Sequence, residues 1–313
     1  METLIEIILE YSYQRGKTKM DQLYAQFKPA FIKEINRVMD LRIIYKTKKR
    51  TKVENFANAF YGMLDAGGKC KNIKSTYGLS PGSYQRYLKI CDQSHLIEDL
   101  HFNLIRTFKE FITSDTTTDT FTVRAKGALE AKGYHHKEKN KLGTGVSIIA
   151  DLQLIPLSTY TDAGNINDRE MLWMTLGDPE VPICKINRIF ADKGYTGQQF
   201  KDILFDDHKV KLICPPKKNS KNATKNVTKK NTKKVSKKVS KNAHAVTEED
   251  IQDLNIHRNK IEHVNLIFRN FRSIDVRYTK TINTYKCFIS MATLLTAVMK
   301  LKDVLAKSNN SYP

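Results

Sequence analysis

The feature that most constrains the fold is a change of hydrophobic pattern near residue 119. Before it, apolar residues recur at helical spacing with almost no β-branched alternation, so residues 1 to about 112 read as mostly helical. After it come three strand-like segments in succession, TFTVRAK, GVSIIAD and LIPLSTYT, each bounded by polar or turn residues. A helix over about Asn167–Leu176 follows, then a strand INRIFAD, a helix near Gln198–Leu204 and a strand VKLIC. Two long helices, about Thr247–Asn270 and Ile282–Lys307, close the chain. Three consecutive strands followed by alternating helix and strand call for an α/β layer structure in which helices cover a sheet.

That element order is the one found in ribonuclease-H-like folds. The expected fold class is therefore α/β, a ribonuclease-H-like mixed sheet core with flanking helices, preceded by a mostly helical N-terminal domain. A chain of 313 residues is long enough for one sizeable domain and a smaller one. The expected division is 1–112 and 113–313. Within the first part, VENFANAFYGMLDAGG ends on Gly67 and Gly68, which suit a helix C-terminus, while Ser80-Pro81 suits an N-cap and first helical position. A helix from Pro81 to Cys91 would bury Tyr84, Tyr87, Leu88 and Cys91 and turn Gln85, Arg86 and Lys89 outward. Residues 53–91 can thus be read as a helix-turn-helix with Arg86 and Lys89 toward DNA, or as an ordinary small helical region.

The charge points to a polyanionic partner. The formal net charge is +20, from 53 basic and 33 acidic residues. Eleven of the lysines fall in a low-complexity run from Lys217 to Lys241, and without them 42 basic residues still face 33 acidic ones. The body of the protein is basic in its own right, which favours nucleic acid over a membrane surface. The run has no aromatic and little apolar surface to offset the entropy of ordering, so a disordered insertion is expected at about 217–246. No stretch of about 18 apolar residues occurs, and the opening METLIEIILEYSY lacks the basic start of a secretory signal. The expectation is an intracellular protein, located wherever the host DNA is, with no membrane partner. Five widely spaced cysteines without a C-x-x-C pair give neither a disulfide framework nor a zinc site.

Cleavage of a phosphodiester with two metal ions needs carboxylates from separate elements converging on one point. Magnesium prefers such oxygen ligands and keeps several waters. Asp119 at the opening of the first strand, Asp192 at the close of the fourth and Glu262 on the helix after the fifth are placed to do this. Arg258, Glu262, Asn265 and Arg269 fall at i, i+4, i+7 and i+11, one face of a helix, beside an apolar stripe of Ile261, Val264, Phe268 and Phe271. Asp115 competes with Asp119 for the first position if the strand starts earlier. Asp151 reads as a hairpin-turn residue and Asp168 as a residue that caps or opens a helix. His135-His136 has no partner at metal-site spacing.

Several of these segments resemble a known family. FADKGYTG, Phe190 to Gly197, resembles the block that holds the second catalytic aspartate in DDE transposases of bacterial insertion-sequence families four and five. TDTFTVRAKG resembles the first block, an aspartate followed four residues later by valine and then Arg-Ala-Lys. The family's third block runs tyrosine, two residues, arginine, three residues, glutamate, six residues, lysine. Here the corresponding places hold Asn255, Arg258, Glu262 and Arg269.

The resemblance covers about Asp119 to Leu301. It implies a DDE transposase in which Asp119, Asp192 and Glu262 are both catalytic residues and ligands of two Mg2+ ions, for which Mn2+ can substitute. It also implies contacts to DNA from Arg258, Arg269, Lys193, Tyr195, Arg124 and Lys126. The implied partners are double-stranded DNA, as element terminal repeats and as target, and further copies of the chain in an oligomer on DNA. Arginine at 269 keeps the charge of the family's lysine but changes its geometry to a planar fork. Asn255 lacks the aromatic ring, which leaves open a decayed or repurposed DNA-binding protein, or a nuclease that cuts without joining.

Overall fold

The computed structural model describes residues 19–41, 53–68, 70–135, 141–177, 186–215 and 246–309. The lysine-rich segment lies outside them up to residue 245, as does the His135-His136 pair at the level of side chains. Among the described residues five α-helices come first: α1 (Lys19–Leu41), α2 (Val53–Ala66), α3 (Ile73–Tyr77), α4 (Pro81–Gln93) and α5 (Leu96–Thr107). The local signals act as expected. Gly67 follows α2 at φ 69°, and the Ser80 side chain caps α4 by accepting from the Ser83 N–H, with Pro81 at the first helical position.

The sheet is built from β1 (Asp115–Ala125), β2 (Gly133–His135), β3 (Lys141–Asp151), β4 (Pro156–Ala163), β5 (Arg188–Phe190), β6 (Lys211–Ile213) and the short β7 (Val276–Arg277). Its order is β2-β3-β1-β5-β6, with β4 also paired to β3 and β7 to the end of β1. β1, β3 and β4 form an antiparallel meander, while β5 and β6 run parallel to β1. Three antiparallel strands followed by two parallel ones on the other side of the first strand is the ribonuclease-H-like arrangement that the element order implied. Between the strands lie α6 (Asp168–Leu176) and α7 (Gln198–His208). After them come α8 (Glu248–His257), α9 (Lys260–Asn270), α10 (Arg272–Asp275) and α11 (Ile282–Asn309).

Alternation along the strands divides the apolar residues between the two faces. On one face, Ile149, Ile189 and Leu212 pack with Leu172 and Leu176 of α6 and Leu204 of α7. On the other, Phe121, Val123, Val146 and Ile148 join a single large core with α9, α11 and the N-terminal helices. Phe60 of α2 stacks on Phe288 of α11 at 5.4 Å, and the Ser273 hydroxyl bonds the Met63 carbonyl. The helices before residue 112 thus share their core with the C-terminal helix and the sheet instead of enclosing a core of their own.

Two sequence expectations need correction. β1 starts at Asp115, so Asp119 lies within the strand and does not open it. The helix expected over Thr247–Asn270 is two helices, because the backbone ladder breaks at Arg258 and Asn259. Asparagine competes with helical backbone bonding through its own amide, and here that amide's oxygen accepts from Arg258 Nε at 3.3 Å. Arg258 therefore ends α8, while Glu262 stands in the first turn of α9.

Candidate active site

The site is set by strand register. β1 and β5 pair in parallel with Asp115 opposite Arg188 and Thr117 opposite Phe190. Asp119 lies two residues beyond the last pair on β1 and Asp192 two residues beyond it on the other chain, and the charge of Asp192 acts on Asp119. The ladder ends at Phe190, where the Ala191 N–H turns to the Ile213 carbonyl of β6 and a 3-10 turn, Lys193–Tyr195, begins just beyond Asp192. Asp192 is left exposed at the strand end, whereas Asp119 is half-buried.

Asp119 shares its strand face with Phe121 and Val123, the face on which α9 lies. From α9, Asn265 Nδ2 donates to Asp119 Oδ2 at 2.8 Å. One helical turn earlier stands Glu262, exposed to solvent. One turn later Arg269 lays its guanidinium over the Phe121 ring at 5.3 Å. Burial pushes the Asp119 carboxyl up to about 6; the Thr120 N–H and the Asn265 amide oppose the rise, and the negative charges of Asp168 and Asp192 add to it. Asp168 opens α6 as expected, but its influence on Asp119 was not foreseen from sequence. Asn167 caps α6 through its side chain, accepting from Arg169 N at 3.0 Å. Asp168, in the first turn of α6, lies so close to the turn after Asp192 that a Cβ on Gly194 would stand 3.1 Å from its Oδ2.

The other expected site residues are distributed as follows. Lys193 is exposed beside Asp192. Tyr195, expected at the substrate, is buried in the core beneath α6 and α7, and its hydroxyl is bonded to Thr120 Oγ1 at 2.9 Å. A full aromatic ring in an apolar layer acts on the site through packing, so direct contact with phosphate is withdrawn for Tyr195. Arg124 and Lys126 are exposed at the far end of β1, five and seven residues past Asp119. Arg258 is exposed at the end of α8, and Arg86 and Lys89 are exposed on α4, whose Tyr84, Tyr87, Leu88 and Cys91 are buried as expected.

Asp115 is engaged elsewhere: Arg188 donates from Nε to both of its oxygens at 3.1 Å and from Nη2 to Oδ2 at 2.5 Å. The same guanidinium reaches Asp253 and Asp250 on α8 at 2.7 and 3.4 Å. Asp151 makes the turn from β3 to β4, its Oδ1 accepting from the N–H groups of Gln153 and Ile155 at 2.9 and 2.8 Å.

The donor set at Asp119 and Asp192 is made of hard oxygens, the kind magnesium takes. Beside it, Asn265 Oδ1 is buried and has no hydrogen-bond partner, an orphaned acceptor that a hydrated cation would satisfy. Among the described residues, no three His, Cys, Asp or Glu side chains by themselves form a group that could hold an ion. Glu262 stands on α9 one turn from Asn265, and its carboxylate does not close such a group. Among the same residues, no helix is long and apolar enough to cross a membrane.

The family model described as the transposase DDE domain matches residues 113–297. No curated protein matches the chain. Among solved structures, the chain is similar to a piggyBac transposase in a synaptic complex with hairpin DNA, determined by cryo-EM. That similarity has 10% identity and a TM-score of 0.46, and it covers 97% of this chain and 75% of that one.

Proposed function

The chain belongs to the transposase DDE-domain family, whose model spans more than half its length, and from that membership we propose that it cleaves DNA at the ends of a mobile element and joins them to target DNA. Asp119 and Asp192, with Glu262 supplied from α9, are the carboxylates that would hold two Mg2+ ions, or Mn2+ in their place. When bound, such ions supply activation of the attacking oxygen and neutralise charge on the leaving one. Water attacks the terminal phosphodiester and the 3′-oxygen leaves with a proton as a hydroxyl; that hydroxyl then attacks a phosphodiester of the target, whose own 3′-oxygen leaves.

The observation that supports this reading is the parallel pairing of β1 and β5, beyond which Asp119 and Asp192 follow and the charge of one acts on the other, with Glu262 and Arg269 on the helix whose Asn265 bonds Asp119. Arg269 and Lys193, exposed around these carboxylates, are the cations we assign to the DNA phosphates nearest the scissile bond. Arg258, Arg124, Lys126, Arg86 and Lys89 would extend the track along flanking DNA, with α4 contributing to recognition of the element's ends. Two ends must be handled together, so a homo-oligomer on DNA is part of the proposal.

The test is nicking of supercoiled DNA that carries the element's flanking repeats, in Mg2+ or Mn2+, by the native chain and by Asp192→Asn. The swap keeps the side chain's shape and removes its charge. Loss of nicking in the variant alone supports the proposal, and a strand-transfer assay then separates a transposase from a nuclease that only cuts. Binding without nicking by either protein would overturn it in favour of a DNA-binding remnant.

A further inference from the structure

Asn265 is placed in a way that ordinary packing does not explain. It is 8% exposed, on the face of α9 pressed against β1. Its Nδ2 is bound to Asp119 Oδ2 at 2.8 Å, which fixes the amide's orientation, because a carboxylate accepts and only the NH2 group can donate. The other amide atom, Oδ1, is buried without a partner. The two heteroatoms of an amide are about 2.3 Å apart, so this oxygen lies within roughly 5 Å of the Asp119 carboxylate. A buried carbonyl oxygen left unpaired costs about 1–3 kcal/mol, and an apolar side chain of the same shape would avoid that cost. The bond from Nδ2 to Asp119 accounts for one half of the amide, and the unpaired Oδ1 asks for a ligand that is present during function.

We propose that Asn265 is a positioning residue of the cation site: its NH2 group locks one oxygen of Asp119, and its carbonyl oxygen accepts a hydrogen bond from a water in the shell of a divalent cation held by Asp119. Magnesium and manganese keep most of their waters in such sites, and a protein acceptor beyond the ligands orients those waters and the ligands together. Asp168, whose charge also acts on Asp119, adds to the field that draws the cation in. The inference rests on the proposed carboxylate site and adds to it a residue outside the aspartate-aspartate-glutamate set.

The experiment measures Mn2+ binding to the full-length chain without DNA, from loss of the free-ion EPR signal, for the native chain, Asn265→Leu, Asn265→Ser, Asp119→Asn and Asp192→Asn, with thermal unfolding of each. Asn265→Leu removes an unpaired buried oxygen but also the amide's hydrogen bond to the Asp119 carboxylate, so Tm is read beside binding to confirm that the variant folds, and Mn2+ affinity should fall about 10- to 100-fold. Asn265→Ser provides the same reading if the leucine variant does not fold, because its hydroxyl is too short to span both roles. Folded Asn265 variants with unchanged Mn2+ affinity, alongside aspartate variants that lose it, would overturn this inference alone. Unchanged affinity in Asp119→Asn and Asp192→Asn would overturn the carboxylate site, and this inference with it.

Discussion

Removing the Arg188 guanidinium should loosen the site from a distance. Arg188 lies on β5 four residues before Asp192, and its partners are Asp115 on β1 and Asp250 and Asp253 on α8. One cation therefore clamps the strand that leads to Asp192, the strand that holds Asp119 and the helix that leads into α9. Lys211 of β6 closes the group by binding Asp250 at 2.5 Å. A fully buried pair broken on one side costs about 3–5 kcal/mol, while an exposed pair is worth about 0–1 kcal/mol. With side chains 28% and 20% exposed for Arg188 and Asp115, the loss for Arg188→Met should fall between these, at about 2–3 kcal/mol. Urea unfolding should show a lower midpoint with an unchanged slope. A double-mutant cycle with Asp115→Asn should return a coupling of about 1–2 kcal/mol, retained at moderate salt because the pair is partly shielded from ions. A coupling below about 0.5 kcal/mol would refute the clamp and reduce the network to surface decoration.

Acid should weaken the same region. Burial alone would raise the Asp250 carboxyl, but Lys211 and the Thr247 N–H and hydroxyl overcome it and hold the group at about 2, against the ordinary 3.8. A carboxyl held below its unfolded value contributes stability that is full above about pH 4 and lost as pH falls through about 2, here about 2 kcal/mol. Asp250→Asn should therefore flatten the stability profile between pH 4 and 2 as measured by urea midpoints. Asp151→Ala should cost about 3–5 kcal/mol, since it strips the acceptor from the N–H groups of Gln153, Ile155 and Thr113; a loss under about 1 kcal/mol would show that water replaces it. Gly127→Ala should destabilise by about 1–3 kcal/mol, because its Cβ would stand 2.4 Å from the Tyr278 carbonyl oxygen, a backbone atom. An unchanged Tm would mean that the Tyr278 loop yields freely.

The order of elements was legible because hydrophobic period is a local property, readable in each segment without its neighbours. The helix signals at Gly67 and Ser80-Pro81 were legible for the same reason, as was the turn role of Asp151. What sequence could not supply was pairing. β5 has three residues, Arg188–Phe190, too few to carry a register of their own, and the ladder that leads toward Asp119 and Asp192 joins residues more than seventy apart. Asp115 could be separated from Asp119 only by finding Arg188 on it. The stripe on α4 was readable, yet periodicity says only that a face is apolar and not what covers it. The cover is partly α11, nearly two hundred residues away, as the contact of Cys287 Sγ with the Leu88 carbonyl shows.

The residues at the third block show why a pattern match and a site differ. Spacing alone put Arg258, Glu262, Asn265 and Arg269 on one face, and all four could then have met the same ligand. The break at Arg258 and Asn259 divides them, so α9 begins just before Glu262 and is free of α8's direction. Within α9 the apolar residues Ile261, Val264 and Phe268 are fixed against the sheet core. That anchoring leaves little choice for the rest: Asn265, next to Val264, must lie over β1, and Arg269, one turn on, must follow it to Phe121. Glu262, next to Ile261, is held one turn short of Asp119 by the same packing. At the first turn after the helix break Glu262 N bonds the Asn259 carbonyl in the tighter three-residue pattern, so the direction of α9 is set anew there.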